Sequence, residues 1–137
     1  MRSTSIFVAT LLCATIFITS SAVAKEGVQA TIHTNISATA VEGSQIDVSW
    51  SLKVEKSGEP LNACAVFIRL IGPTGESTEA FAECGANSEG RYDATATIPS
   101  GGIVKIEIGV AGTMTDREGQ SERSDWLMPL ANDPMHD

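Results

Sequence analysis

The chain has 137 residues, 42% of them hydrophobic, and its 17 acidic against nine basic side chains give a formal charge of −8. That length accommodates one domain of ordinary size. The acidity argues against docking on nucleic-acid phosphates or anionic lipid, and leaves a basic partner, a cation or plain solubility as its uses.

Residues 1–24, MRSTSIFVATLLCATIFITSSAVA, combine one early Arg, an apolar run from Ile6 to Ile18 and a small-residue ending, Ala22-Val23-Ala24. This is the pattern of a cleaved secretory signal peptide, and it predicts a secreted or periplasmic product. The run is shorter than the roughly 20 apolar residues that span a bilayer, and no later segment approaches that length, so no transmembrane segment is expected in the mature chain. Cys13 follows Leu12 inside the run, which is not a lipid-acceptor setting, and cleavage removes it. The mature chain keeps 113 residues, with eight basic residues against 17 acidic ones and a charge of −9.

From Val28 to Ala40 apolar or small residues alternate with polar ones, which predicts one strand or two short ones in sequence. Gln45 to Glu55 alternates more cleanly, with Ile46, Val48, Trp50, Leu52 and Val54 on one side. Further strands are expected over Ala63–Ile71, Ser77–Cys84, Arg91–Ile98 and Ile103–Val110, then a long polar loop from Gly112 to Asp125. A short final strand around Trp126 to Leu130 should end, or lie at a sheet edge, because of Pro129. Seven short strands with turn signals near every ten residues predict an immunoglobulin-like two-sheet β-sandwich over residues 25–131, with 132–137 as a tail. Alternation alone leaves a small barrel as the alternative. Trp50 is expected in the core, and Tyr92 stands where a sandwich can tie a loop corner to the backbone through a hydroxyl.

Cys64 and Cys84 flank two strands joined by Gly72-Pro73-Thr74-Gly75-Glu76. A hairpin centred on Thr74 places residues opposite one another when their numbers sum to 148, so that Ile68 faces Ala80, Val66 faces Ala82 and Cys64 faces Cys84. Opposed residues of a non-hydrogen-bonded pair stand about 4.5 Å apart at Cα, within disulfide range. A structural disulfide is the leading expectation in a secreted chain. A metal site and a labile redox pair are the alternatives, although Glu83 beside Cys84 does not supply the electropositive setting that a reactive thiol needs.

No catalytic motif emerges. His33 and His136 have no motif partner, no Gly-x-Ser-x-Gly elbow occurs, and carboxylates such as Asp116, Glu118, Glu122 and Asp125 are interleaved with basic residues in what reads as a solvated loop. No cofactor is expected. His33, Met114, Met135 and His136 are residue types that suit copper, but their spacing forms no compact motif; Met128 reads as core. Asn35-Ile36-Ser37 is a glycosylation sequon. Gly101-Gly102 and the edge strand at Trp126 are candidate docking surfaces for another secreted or envelope protein.

Gly58-Glu59-Pro60 before Ala65-Val66, then Gly90-Arg91-Tyr92 and Pro99-Ser100-Gly101, resemble the pattern of bacterial extracytoplasmic immunoglobulin-like modules of the YtkA-like and related sort. The resemblance spans about half the mature chain. It implies a non-catalytic β-sandwich outside the cytoplasm, sometimes beside copper or membrane redox systems. The methionine-rich turn of many such modules is missing here. The expectation is therefore a binding or accessory domain, with a copper-binding or redox accessory protein as the alternative.

Overall fold

A computed structural model describes residues 27–37, 40–85 and 89–136; the expected signal peptide lies outside them. The strands are β1 (Val28–Ile32), β2 (Gln45–Val54), β3 (Val66–Ile71), β4 (Ser77–Phe81), β5 (Arg91–Thr97), β6 (Lys105–Thr115), β7 (Ser121–Met128) and β8 (Leu130–Asn132). They form two separate sheets, β5-β2-β1-β8 and β4-β3-β6-β7. The fold is thus the expected immunoglobulin-like sandwich, with both sheets open at their edges as a barrel's would not be. Among the described residues no helix is long and apolar enough to cross a membrane.

The alternation read in β2 faces the core: Val48, Trp50 and Leu52 are fully buried, against Val66, Ile68 and Leu70 of β3 and Ile106 and Ile108 of β6. Each such side chain stabilises the fold by about 1.5–3 kcal/mol through its removal from water. The large residues of β3 oppose the small Ala80 and Thr78 of β4, as the hairpin register requires. These small side chains let the other sheet approach, and the Thr78 hydroxyl donates to the Thr97 carbonyl of β5, bonding the sheets directly.

One expectation is corrected. Gly112 to Asp125 is not a loop: β6 continues to Thr115 and β7 begins at Ser121, in a ladder that runs from Ile108 opposite Met128 to Thr115 opposite Ser121. The Asp116 carboxylate accepts from the backbone amides of Glu118 and Gln120, and Gly119 takes φ +84° to close the turn. This ribbon projects beyond the core, so neither face is apolar and the alternation that marks a strand is absent from its sequence. The described residues form eight strands where about seven were expected. Pro129 ends β7, as expected, and the chain then crosses from the edge of one sheet to the edge of the other, where β8 lies parallel to β1.

Residues 132–136, within the stretch read as a tail, are docked on the sandwich. The Asn132 side chain accepts from the Ile32 amide at 2.9 Å and donates to its carbonyl at 2.7 Å, and Met135 packs against the core.

Candidate functional site

The cysteines lie just outside the strands they were expected to end. β3 and β4 pair on the predicted sum, from Ile71 opposite Ser77 to Phe67 opposite Phe81, and the Ala82 amide extends the ladder to the Val66 carbonyl at 2.9 Å. Had the ladder run on, Cys64 and Cys84 would occupy a hydrogen-bonded pair, with Cα atoms about 5.5 Å apart. Instead Ala65 adopts φ +58°, left-handed for a residue with a Cβ, and the ladder breaks. The two Cα atoms then stand 4.2 Å apart and the cysteines form a disulfide. The predicted partners are right, and the close approach comes from the kink at Ala65. Tyr92 secures the neighbouring segment: its hydroxyl donates to the Leu61 carbonyl at 2.7 Å and accepts from the Ala63 amide at 2.8 Å. Both sulfur-bearing residues are solvent-exposed and no cluster of three or more metal-ligating His, Cys, Asp or Glu occurs among the described residues.

The outer face of the β4-β3-β6-β7 sheet carries a feature the sequence reading missed. Phe67 is fully buried, yet it points away from the inter-sheet core, because Val66 and Ile68 on either side of it point inward. Its ring lies over Gly109, where an added Cβ would come within 2.9 Å of Phe67 Cζ. Phe81 tilts against it with ring centroids 5.7 Å apart, and Leu127 flanks Gly109 from β7. An apolar row, Phe81-Phe67-Gly109-Leu127, thus crosses all four strands.

Guanidinium groups roof this row. Arg69 stands 4.8 Å from the Phe67 centroid, and Arg123 stands 5.2 and 5.5 Å from those of Phe67 and Phe81. Arg69 bonds Glu79 on β4, Glu107 on β6 and Asp125 on β7 at 2.9, 2.8 and 2.6 Å, and Arg123 makes a forked pair with Glu79 and a further bond to Asp125. Arg123 and Arg69 hold the Glu79 carboxyl below its ordinary value, with burial opposing them, and the same holds for Asp125. Burial works against the Arg69 charge, but its bonds to Asp125, Glu107 and Glu79 keep it firmly protonated. Carboxylates committed in this way do not serve as a general acid or base near neutrality. Phe81 and Leu127 nevertheless remain 49% and 42% exposed at the two ends of the row.

No family model, curated protein or solved structure matches this chain.

The sequence-nominated residues are dispersed. Trp126 is 44% exposed on the edge strand β7, where it pairs with Val110, level with one end of β3. Gly101 and Gly102 sit beyond the other end of β3, so the two nominated docking features do not form one surface. The glycines have a local structural reason. Both take positive φ, Gly101 donates to the Glu42 carboxylate at 2.6 Å, and a Cβ there would meet Pro73 at 2.6 Å. The copper-type residues share no cavity: Met114 is exposed on the projecting ribbon, Met135 packs on the core, His136 lies 3.6 Å from Asp133, and His33 belongs elsewhere.

His33 lines an open cleft of about 310 Å³ on the outer face of the other sheet, with Ser51, Lys53, Pro60, Glu89 and Arg91. Its Nε2 is 3.0 Å from the hydroxyl of Ser51, a polar side chain buried to 5% exposure in the centre of β2. Burial, then Arg91 and Lys53, lower the His33 pKa from 6.5, while Glu89 opposes them.

Proposed function

We propose that this protein is an extracytoplasmic, non-catalytic binding domain that engages a protein partner through the outer face and β7 edge of the β4-β3-β6-β7 sheet. The observation that carries the reading is the apolar row with its two exposed ends, Phe81 and Leu127, under a roof of arginine. The outer face of an antiparallel sheet is ordinarily polar. Aromatic residues and arginine surrounded by paired charges are instead the composition of protein-binding hot spots. The disulfide supports an oxidising compartment. A non-catalytic role accords with the committed carboxylates.

The test is site-specific photo-crosslinking in the cell that produces the protein. A photoreactive residue at Leu127 should trap one discrete protein adduct that disappears when Phe81→Glu is added. The same residue at Asp47, on the opposite outer face, should trap none. Equal labelling from both positions, or no adduct from Leu127, would overturn the reading.

A further inference from the structure

The cleft around His33 lies on the opposite sheet from the proposed protein-binding face and shares no residue with it. Its walls come from three neighbouring segments. β2 contributes Ser51 and Lys53 from its outer side, and β5 contributes Arg91, directly opposite Ser51 in the ladder. His33 follows β1, where its amide is fixed to the Ser49 carbonyl at 2.8 Å. The rim is the β2–β3 connection, held down by the bridge between Lys53 and Pro60 and by Gly90, at which a Cβ would come within 2.7 Å of Pro60.

The charge of this cleft is opposite to that of the molecule. In a chain of net charge −8, Lys53, Arg91 and the titratable His33 face one concavity, with Glu89 placed 4.0 Å from Arg91. On the other sheet Arg69, Arg123 and Lys105 are paired with carboxylates, and in the cleft Arg91 is paired with Glu89, while Lys56 and Arg117 stand exposed outside both sheets' ion pairs. Among the described residues Lys53 makes no salt bridge. A cation set in a half-enclosed wall attracts anions more strongly than one in open water, because the local dielectric is lower.

We propose that this cleft binds a small oxyanion, a phosphate or carboxylate group, with Lys53 and Arg91 supplying charge and the Ser51–His33 pair supplying a hydrogen bond. While His33 is neutral, the Ser51 hydroxyl can donate to Nε2. Once His33 is protonated, Nε2–H donates to Ser51 Oγ and frees the hydroxyl proton for the anion. The groups facing His33 are Lys53 on β2, Arg91 on β5 and Glu89 in the turn before β5. An anion between the two cations cancels the field that disfavours imidazolium, so binding takes up a proton at His33. At about 310 Å³ the cleft has the size of one anionic group with a short attachment.

The experiment is an NMR titration of the two imidazoles in the folded, oxidised protein, at a constant ionic strength of about 0.15 M set with chloride. Inorganic phosphate, methyl phosphate and acetate are the probes. Saturable shifts at His33 but not at His136, with a rise in the His33 pKa, are expected for at least one probe, and the one that saturates names the source of the oxyanion. Lys53→Met, at an exposed position that leaves the core intact, should weaken binding about tenfold or more, the cost of one charge-assisted hydrogen bond. The proposal is overturned if no probe saturates below about 100 mM. It is equally overturned if His136 shifts in parallel or if Lys53→Met leaves the affinity unchanged.

Discussion

Replacing both Cys64 and Cys84 by alanine tests how the fold uses its disulfide. The bond joins residues 20 apart in sequence. Closing a loop of that length removes about 11 cal/mol/K of chain entropy from the unfolded state, or about 3 kcal/mol at 25 °C. The folded state should lose little beyond this. Both side chains are exposed, so truncation opens no core cavity, while the Tyr92 hydroxyl and the bond from the Gly85 amide to the Ala63 carbonyl still hold the same corner. Equilibrium unfolding in guanidinium should therefore show the oxidised protein more stable by about 3 kcal/mol, and the variant's midpoint temperature lower by about 10–20 °C. The variant should also show a steeper denaturant dependence, because its unfolded chain expands further. Cross-strand contacts between Ile68 and Ala80, followed by NMR, should persist in the folded variant. A loss under about 1 kcal/mol would mean that the reduced unfolded chain already keeps the hairpin register. Disappearance of the Ile68–Ala80 contact would place the effect in the native state; either result refutes the reasoning.

Gly109→Ala would set a Cβ 2.7 Å from the Trp126 carbonyl oxygen and 2.9 Å from Phe67 Cζ, and should cost about 1–3 kcal/mol in urea unfolding, more than Gly112→Ala, whose nearest contact is 3.1 Å. Acid should weaken the fold through the arginine roof. Glu79 and Asp125 have folded pKa values below their ordinary 4.5 and 3.8, so their contribution is complete above those values and is lost as pH falls through the lower folded ones. Thermal midpoints measured from neutral pH down to about pH 2 should decline over that window, and the Glu79→Gln, Asp125→Asn double variant should decline less steeply.

What could be read in advance tracks the physical signal each segment carries. β2 was legible because one face is dry and the other wet, and the β3–β4 register because one turn and one sum fix every opposed pair. Tyr92 was placed correctly as a tie to a loop corner, though its partners, Leu61 and Ala63, lie about 30 residues upstream, beyond any local pattern. The β6–β7 ribbon was lost because it leaves the core and with it the alternation. The arginine-roofed face left a trace that went unused: Val66-Phe67-Ile68 is apolar at three consecutive positions, the mark of a strand covered on both sides, and Arg69 interrupts it where a charge needs partners. Those partners, Glu79, Glu107 and Asp125, come from three other strands and meet only once the register of the whole sheet is known. The His33 cleft was hidden for the same reason, since Ser51 and Arg91 become neighbours only through the β2–β5 ladder.

The seam between β1 and β8 bears on the order in which the molecule assembles. Asn132 grips Ile32 across 100 residues of sequence, and β8 is reached only after the chain passes Pro129. The hairpins β3–β4 and β6–β7 close over short stretches of chain, whereas β1 gains its second neighbour only from β8, about 100 residues away. The two sheets are therefore tied together by one of the most sequence-distant contacts of the fold, a contact that no local hairpin can form in advance.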